Sequence, residues 1–219
     1  MGGYLPVRSR DRMHRDRNFD SRPDLAGGSA MLRGSVFGDH RVIRRPFTHA
    51  VTGPLLSEPA SDALRRWCSL KAKWNERRSD HYRFSCCKAT TGLEECSPGF
   101  MAAVGALSHQ LALLFQASLL PPKSVDVFRF RQDDFIGIHN DKGIKAVRLV
   151  SYIPARQQIQ SGGALVLFGE NDEETLLYRG GDHAATIFFL PSALTFHAIT
   201  RVLCDEILLL VADYLEASS

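Results

Sequence analysis

VDVFRFRQDDFIGIHND, residues 125–141, holds two short runs of alternating or apolar residues separated by a polar Gln-Asp-Asp and closed by His-Asn-Asp. The same texture continues downstream in VRLVSYIP (147–154), GALVLFGE (163–170), ATIFFLP (185–191), LTFHAITRV (194–202) and DEILLLVADYL (205–215). Each run is of strand length, and Gly, Pro, Asn and Asp stand between them. Seven such runs within about 90 residues, with no helical pattern between them, predict an antiparallel barrel or sandwich beginning at Ser124.

Upstream of Ser124 the period changes. Ser57, Glu58 and Pro59 form a helix start, with an N-cap oxygen and an acidic first turn. Ala60, Ala63, Leu64, Trp67, Cys68 and Lys71 follow at helical spacing. A second start at Ser97-Pro98 opens Phe100, Val104, Leu107, Leu111, Leu114 and Phe115, a run that stops before Pro121-Pro122. Trp74–Cys96 between them is polar and aromatic without a clear period, and Arg44–Val51 reads as a short strand leading to a turn at Gly53-Pro54. Residues 1–30 are rich in Arg, Asp, Gly and Ser and cannot bury enough surface to offset the entropy of ordering, so a mobile tail is expected there. The expected plan is one domain over residues 31–219, a helical support (about 31–123) on a β-core (about 124–219).

The 219 residues suit one hydrophobic core, and 44% hydrophobic with 23% charged residues is ordinary globular usage. No run of about 18 apolar residues occurs, and the first residues lack the apolar centre of a secretory signal, so a soluble cytoplasmic protein without membrane partners is expected. Ten Arg against five Asp in residues 1–45 carry +5, leaving −2 for the rest of a chain whose net charge is +3. A basic head on a slightly acidic body is not the footprint of a dedicated nucleic-acid binder. The five cysteines (Cys68, Cys86, Cys87, Cys96 and Cys204) are odd in number and form no CxxC, which points to reduced thiols.

The chemistry concentrates on His139-Asn140-Asp141. Residues i and i+2 of a strand share a face, so the His139 imidazole and the Asp141 carboxylate point the same way. His197 follows 56 residues after Asp141 on another apolar run. Two imidazoles and one carboxylate on one side of a metal are what a non-haem Fe(II) oxygenase needs, because the remaining positions stay open. By spacing alone, a surface ion pair at His139/Asp141 and a hydrogen-bonded core histidine at His197 account for the same residues.

The surroundings of the triplet are more specific. RFRQDDFIGIHND, an Arg-led RLVSYIP, SGGALVLFGE and ATIFFLPSALTFHAITRV, in that order, resemble the Fe(II)- and 2-oxoglutarate-dependent oxygenases of the prolyl-4-hydroxylase-like class. The resemblance runs over about residues 124–215, with Gly162, Gly163 and Leu165 matching the family's GGxL element and His197, Ile199 and Val202 its last HxVxxV strand. It implies an α+β, mainly β fold, with a double-stranded β-helix (jelly-roll, cupin-like) core and an N-terminal helical support layer. It also implies Fe(II) held by His139, Asp141 and His197, with 2-oxoglutarate and O2 as co-substrates. Decarboxylation to succinate would then supply the oxidant for hydroxylation of an unactivated C–H bond. Halogenating relatives carry Gly or Ala where Asp141 stands, so the carboxylate implies hydroxylation or a related hydrogen abstraction such as desaturation.

The sequence also departs from that family. The usual cation for the far carboxylate of 2-oxoglutarate falls at Ile207, and DEILLLVADYL has no Lys or Arg. A buried dianion needs a partner. The resemblance offers Arg148 first, nine residues after His139 as in some relatives, then Arg201, then Arg131, with Tyr152 adding a hydroxyl contact; a structural salt bridge at the barrel rim is the alternative for Arg148. The family's first-strand Tyr is Phe130 here. His81-Tyr82-Arg83-Phe84 is a candidate substrate wall. Arg131, Asp133, Asp134 and Arg156 are candidate contacts to a charged substrate. Cys86, Cys87 and Cys96 lack tetrahedral metal spacing, and His183 falls in an exposed turn. The expected substrate is a small molecule, an amino acid or a peptide. A non-catalytic barrel serving as a binding module, and a cupin-like iron enzyme that uses no keto acid, are the alternatives.

Overall fold

The computed structural model describes residues 41–141, 146–154, 162–169, 176–178 and 186–217. The 1–30 segment expected as a tail, Arg156 and His183 lie outside them. Twelve strands, all paired antiparallel, form one strongly curled sheet: β1 (Arg41–Ile43), β2 (His49–Thr52), β3 (Asn75–Arg78), β4 (Tyr82–Lys88), β5 (Val125–Arg131), β6 (Phe135–His139), β7 (Ala146–Tyr152), β8 (Leu165–Phe168), β9 (Leu176–Tyr178), β10 (Thr186–Phe189), β11 (Phe196–Ile199) and β12 (Glu206–Leu215). Their order is β1-β2-β10-β7-β12-β5-β4-β6-β11-β8-β9, with β3 flanking β4. Most strands that follow one another in the chain are not neighbours in the sheet, as in a jelly roll. β4 makes the corner, pairing β5 through Ser85–Lys88 and β6 through Tyr82 and Arg83.

Strand β12 shows why the sheet has two apolar faces. Leu208, Leu210, Ala212 and Tyr214 point to one side and join a core with Leu64 and Cys68 of α1 (Glu58–Leu70), Leu93 of α2 (Thr90–Cys96) and Val104, Leu107 and Leu111 of α3 (Phe100–Phe115). Ile207, Leu209 and Val211 point to the other side, into an inner core with Phe130, Tyr152, Leu167, Ile187, Phe189 and Ile199. A strand covered on both faces reads as a continuous apolar run because neither parity meets water.

The N-terminal part is more mixed than a helical layer. Its helices pack on the outer core, but it also contributes β1–β4, and β2 and β4 are built into the main sheet. Trp74–Cys96, without a period in sequence, contains the β3–β4 hairpin and α2. Ser97-Pro98 ends α2 rather than opening α3. The carboxylate of Glu94 caps α3 instead, accepting from the backbone N–H of Gly99 (2.9 Å) and Met101 (2.7 Å). No single helix among the described residues is long and apolar enough to cross a membrane.

Candidate metal centre

β6 and β11 are direct neighbours, and their register sets His197 opposite His139. The ring centroids are 4.2 Å apart. Asp141, two residues past the end of β6, brings Oδ2 to 3.4 Å and Oδ1 to 4.0 Å from Nε2 of His197 and His139 respectively. Among the described residues these three form the one group of His, Cys, Asp or Glu side chains whose donor atoms all lie within 4.8 Å of one another.

Both rings are oriented by the backbone two residues before them. Nδ1 of His139 lies 2.9 Å from the Gly137 carbonyl, and Nδ1 of His197 lies 3.1 Å from the Thr195 carbonyl. With Nδ1 turned to these carbonyls, each Nε2 is the nitrogen that faces the other two side chains, the orientation in which histidines bind metal. Burial first, and then the neighbouring His197, push the His139 pKa below its ordinary value. Burial opposes ionisation of Asp141, but its bond with His197 and the Arg148 charge prevail and hold its carboxyl at about 2. A neutral imidazole and an ionised carboxylate are the forms a divalent cation requires. Asn140 ties the turn down by donating to the Ala193 carbonyl at 3.0 Å, and Phe189 packs edge-on to His197 at 5.0 Å.

Of the other candidate residues, the structure brings Arg148 to this group. Its guanidinium donates to Asp141 and grips Asp213 at two points, Nε to Oδ1 at 2.8 Å and Nη2 to Oδ2 at 3.0 Å. Arg201 is exposed, ion-paired with Asp133 at 3.3 Å and resting over the Phe135 ring. Arg131 is exposed too; its backbone N–H donates to the Asp134 carboxylate, which also takes Arg83 at 2.7 Å. Tyr152 is fully buried. Its hydroxyl faces the carbonyls of Gly163 and Tyr178 and accepts from the Leu165 N–H at 2.8 Å. Ile207 sits across from Phe130 in the inner core, so β12 sends no cation inward.

A cavity of about 740 Å³ opens beside the triad, lined by His139, Asp141 and Arg148, by Tyr82, Phe84 and Phe128, and by Asp126. The His81–Phe84 segment expected as a wall divides: His81, Tyr82 and Phe84 line the cavity, while Arg83 turns to Asp134. Asp126, Phe128 and Asp213 were not singled out from sequence. Asp126 is a charge inside the strand VDVFRFR, and which parity of that strand faces inward is not decided by alternation when both faces are covered.

The curled antiparallel sheet that carries His139, Asp141 and His197 is similar in fold to solved 2-oxoglutarate- and Fe(II)-dependent oxygenases. The solved structures it is similar to include a prolyl-4-hydroxylase from Pseudomonas putida, at TM-score 0.64 and 17% identity over 78% of this chain and 93% of that one. An oxidoreductase of the 2OG-Fe(II) oxygenase family from Burkholderia pseudomallei superimposes at TM-score 0.53 and 14% identity, covering 70% and 76% of the two chains. A prolyl hydroxylase from Trichoplax adhaerens, solved with a hypoxia inducible factor peptide, does so at TM-score 0.54 and 11% identity, covering 77% and 83%. No protein-family model matches the sequence, and no curated protein does. At these identities the likeness is one of fold.

Proposed function

We propose that the chain is an Fe(II)- and 2-oxoglutarate-dependent dioxygenase that hydroxylates a C–H bond of an amino acid, a peptide residue or another small molecule. The observation that carries this reading is the convergence of the His139 and His197 Nε2 atoms and the Asp141 carboxylate, with His139 and Asp141 lining a cavity. This donor set fits Fe(II), since three protein ligands leave positions for a chelating co-substrate and O2. Bound there, iron with 2-oxoglutarate would supply the oxidation, consuming O2 and releasing succinate and CO2. The side chains of this protein would hold the metal, keep both imidazoles turned inward, and seat the substrate against the aromatic wall.

Arg148 would take the far carboxylate of 2-oxoglutarate. It is the cation on the cavity wall that also touches a triad residue, and recruitment of Asp141 to the metal would free one of its N–H groups. The Trichoplax protein was solved with a peptide, which supports a peptide or amino-acid substrate here. Anaerobic reconstitution with Fe(II) and 2-oxoglutarate should give the weak visible charge-transfer band of the chelate, and His139→Ala should abolish it. Absence of both iron uptake and the band would refute the assignment.

The engagement of Arg148 by two carboxylates favours a second reading, an iron enzyme that uses no keto acid. Such a protein would take up Fe(II) yet form no succinate from 2-oxoglutarate.

A further inference from the structure

The cavity beside the triad adjoins a second of about 230 Å³, and Asp126, Phe128 and Arg148 line both. The two make one cleft that leads from His139 and Asp141 along β5. Its side is aromatic: Phe84 stacks on Phe128 at 4.9 Å and 25°, and Tyr82 meets Phe84 edge-on at 5.9 Å. Where the cavities meet stand one cation and one anion with different prospects. Arg148 is already engaged by Asp141 and Asp213.

Asp126 is not satisfied. Its Oδ1 is shut off from solvent and has no hydrogen-bond partner. Lys88 stands opposite on β4, but its side chain is exposed and forms no ion pair with Asp126 among the described residues. Asp213, from β12, adds a like charge. Burial, ahead of these charges, raises the Asp126 pKa. A half-buried carboxylate left without a donor is costly and uncommon, and Asp126, which lines both cavities, is placed to take a donor carried by a ligand at the oxygen that is not shut off. The donor that suits a carboxylate beside stacked rings is a cation on an apolar stem, since ring faces also attract positive charge.

We propose that this cleft binds a substrate bearing a protonated amine, its nitrogen held by Asp126 and its apolar part lying on Phe84, Phe128 and Tyr82. The nitrogen and the site of oxidation would then lie at opposite ends of the bound molecule. Presentation to the metal rests on the oxygenase reading above; the binding does not.

The test uses the full chain and two probes of equal size, phenethylamine and 2-phenylethanol, titrated calorimetrically. The amine should bind at least about tenfold more tightly, the worth of one charge-assisted bond. Asp126→Asn, which keeps the shape, should bring the two affinities within about twofold, and Phe128→Leu should weaken both alike. Equal affinities in the unaltered protein, or a preference that survives Asp126→Asn, would overturn the proposal, and the first arm requires no variant to fold. Fe(II) uptake is measured on the same samples. Amine preference without iron uptake would sustain the cleft and refute the oxygenase, whereas iron uptake without amine preference would do the reverse.

Discussion

Arg148 donates three hydrogen bonds to two carboxylates, and that arrangement sets the expected consequences of changing it. If its guanidinium anchors 2-oxoglutarate, Asp213 competes with the co-substrate for the same N–H groups. Arg148→Ala should raise the dissociation constant for 2-oxoglutarate by roughly 30-fold or more, since losing a buried charge partner costs on the order of 2–5 kcal/mol. Asp213→Asn should lower it, and titration of the anaerobic Fe(II) protein reads both. The Arg201→Ala effect should be the smaller, because that side chain is exposed and paired with Asp133. Tyr152 belongs to a different account. Its hydroxyl is surrounded by backbone groups of the β8 and β9 region, so Tyr152→Phe should cost about 1–3 kcal/mol in denaturant unfolding. Its effect on 2-oxoglutarate affinity should be less than that of Arg148→Ala.

At the level of elements, the centre depends on a strand pair and on the straps that hold it. β11 lies between β6 and β8, and its register shifts between His197, opposite His139, and Ile199, opposite Ile136. The Gly162-Gly163 segment leads into β8 and is laced to the exit of β11. Gly162 bridges Val202, and the Thr200 N–H donates to the Ala164 carbonyl at 2.9 Å. Gly162 has φ +73°, and a Cβ there would lie 2.0 Å from the Arg201 carbonyl oxygen. Left-handed backbone alone costs a non-glycine residue roughly 1–2 kcal/mol, and the clash adds to it. Gly162→Ala should therefore destabilise the fold by about 2 kcal/mol or more, read as a lower denaturation midpoint. Iron uptake at the triad should weaken in parallel, because β8 backs the strand of His197.

For the molecule as a whole, burying histidines in a neutral form ties stability to pH. His49 is fully buried, with Nδ1 at 2.8 Å from the Phe47 carbonyl and Nε2 against the Tyr178 hydroxyl. Burial lowers the pKa of His49, and chiefly also that of His139. In the unfolded chain these imidazoles take up protons as the pH falls through about 6.5, whereas the folded chain resists until lower pH. Stability of the metal-free protein should be flat above neutrality and fall from about pH 6.5 downward. Denaturant midpoints between about pH 5 and 8 check this, and His49→Gln should flatten part of the slope whatever it does to the midpoint itself. A midpoint that rises on acidification would contradict the sign.

The β-rich C-terminal half, the two principal helices and the candidate group His139, Asp141 and His197 were legible in the residues themselves. Strand-length apolar runs between turn residues, a 3.6 period before Ser124 and an i, i+2 His/Asp pair are local patterns imposed by backbone geometry. The sequence also announced that the last strand carries no cation, since Ile207 stands where one was expected. Pairing across the sheet is not local. That His197 faces His139, that β4 turns the corner to join β5 and β6, and that Asp126 rather than Arg129 points into the cleft depend on register and on which parity of each strand faces inward. A sheet buried on both sides erases the alternation that would have announced that choice. The partners of Arg148 were hidden for the same reason: Asp213 is 65 residues away in the chain, and only the β7–β12 pairing sets it directly opposite.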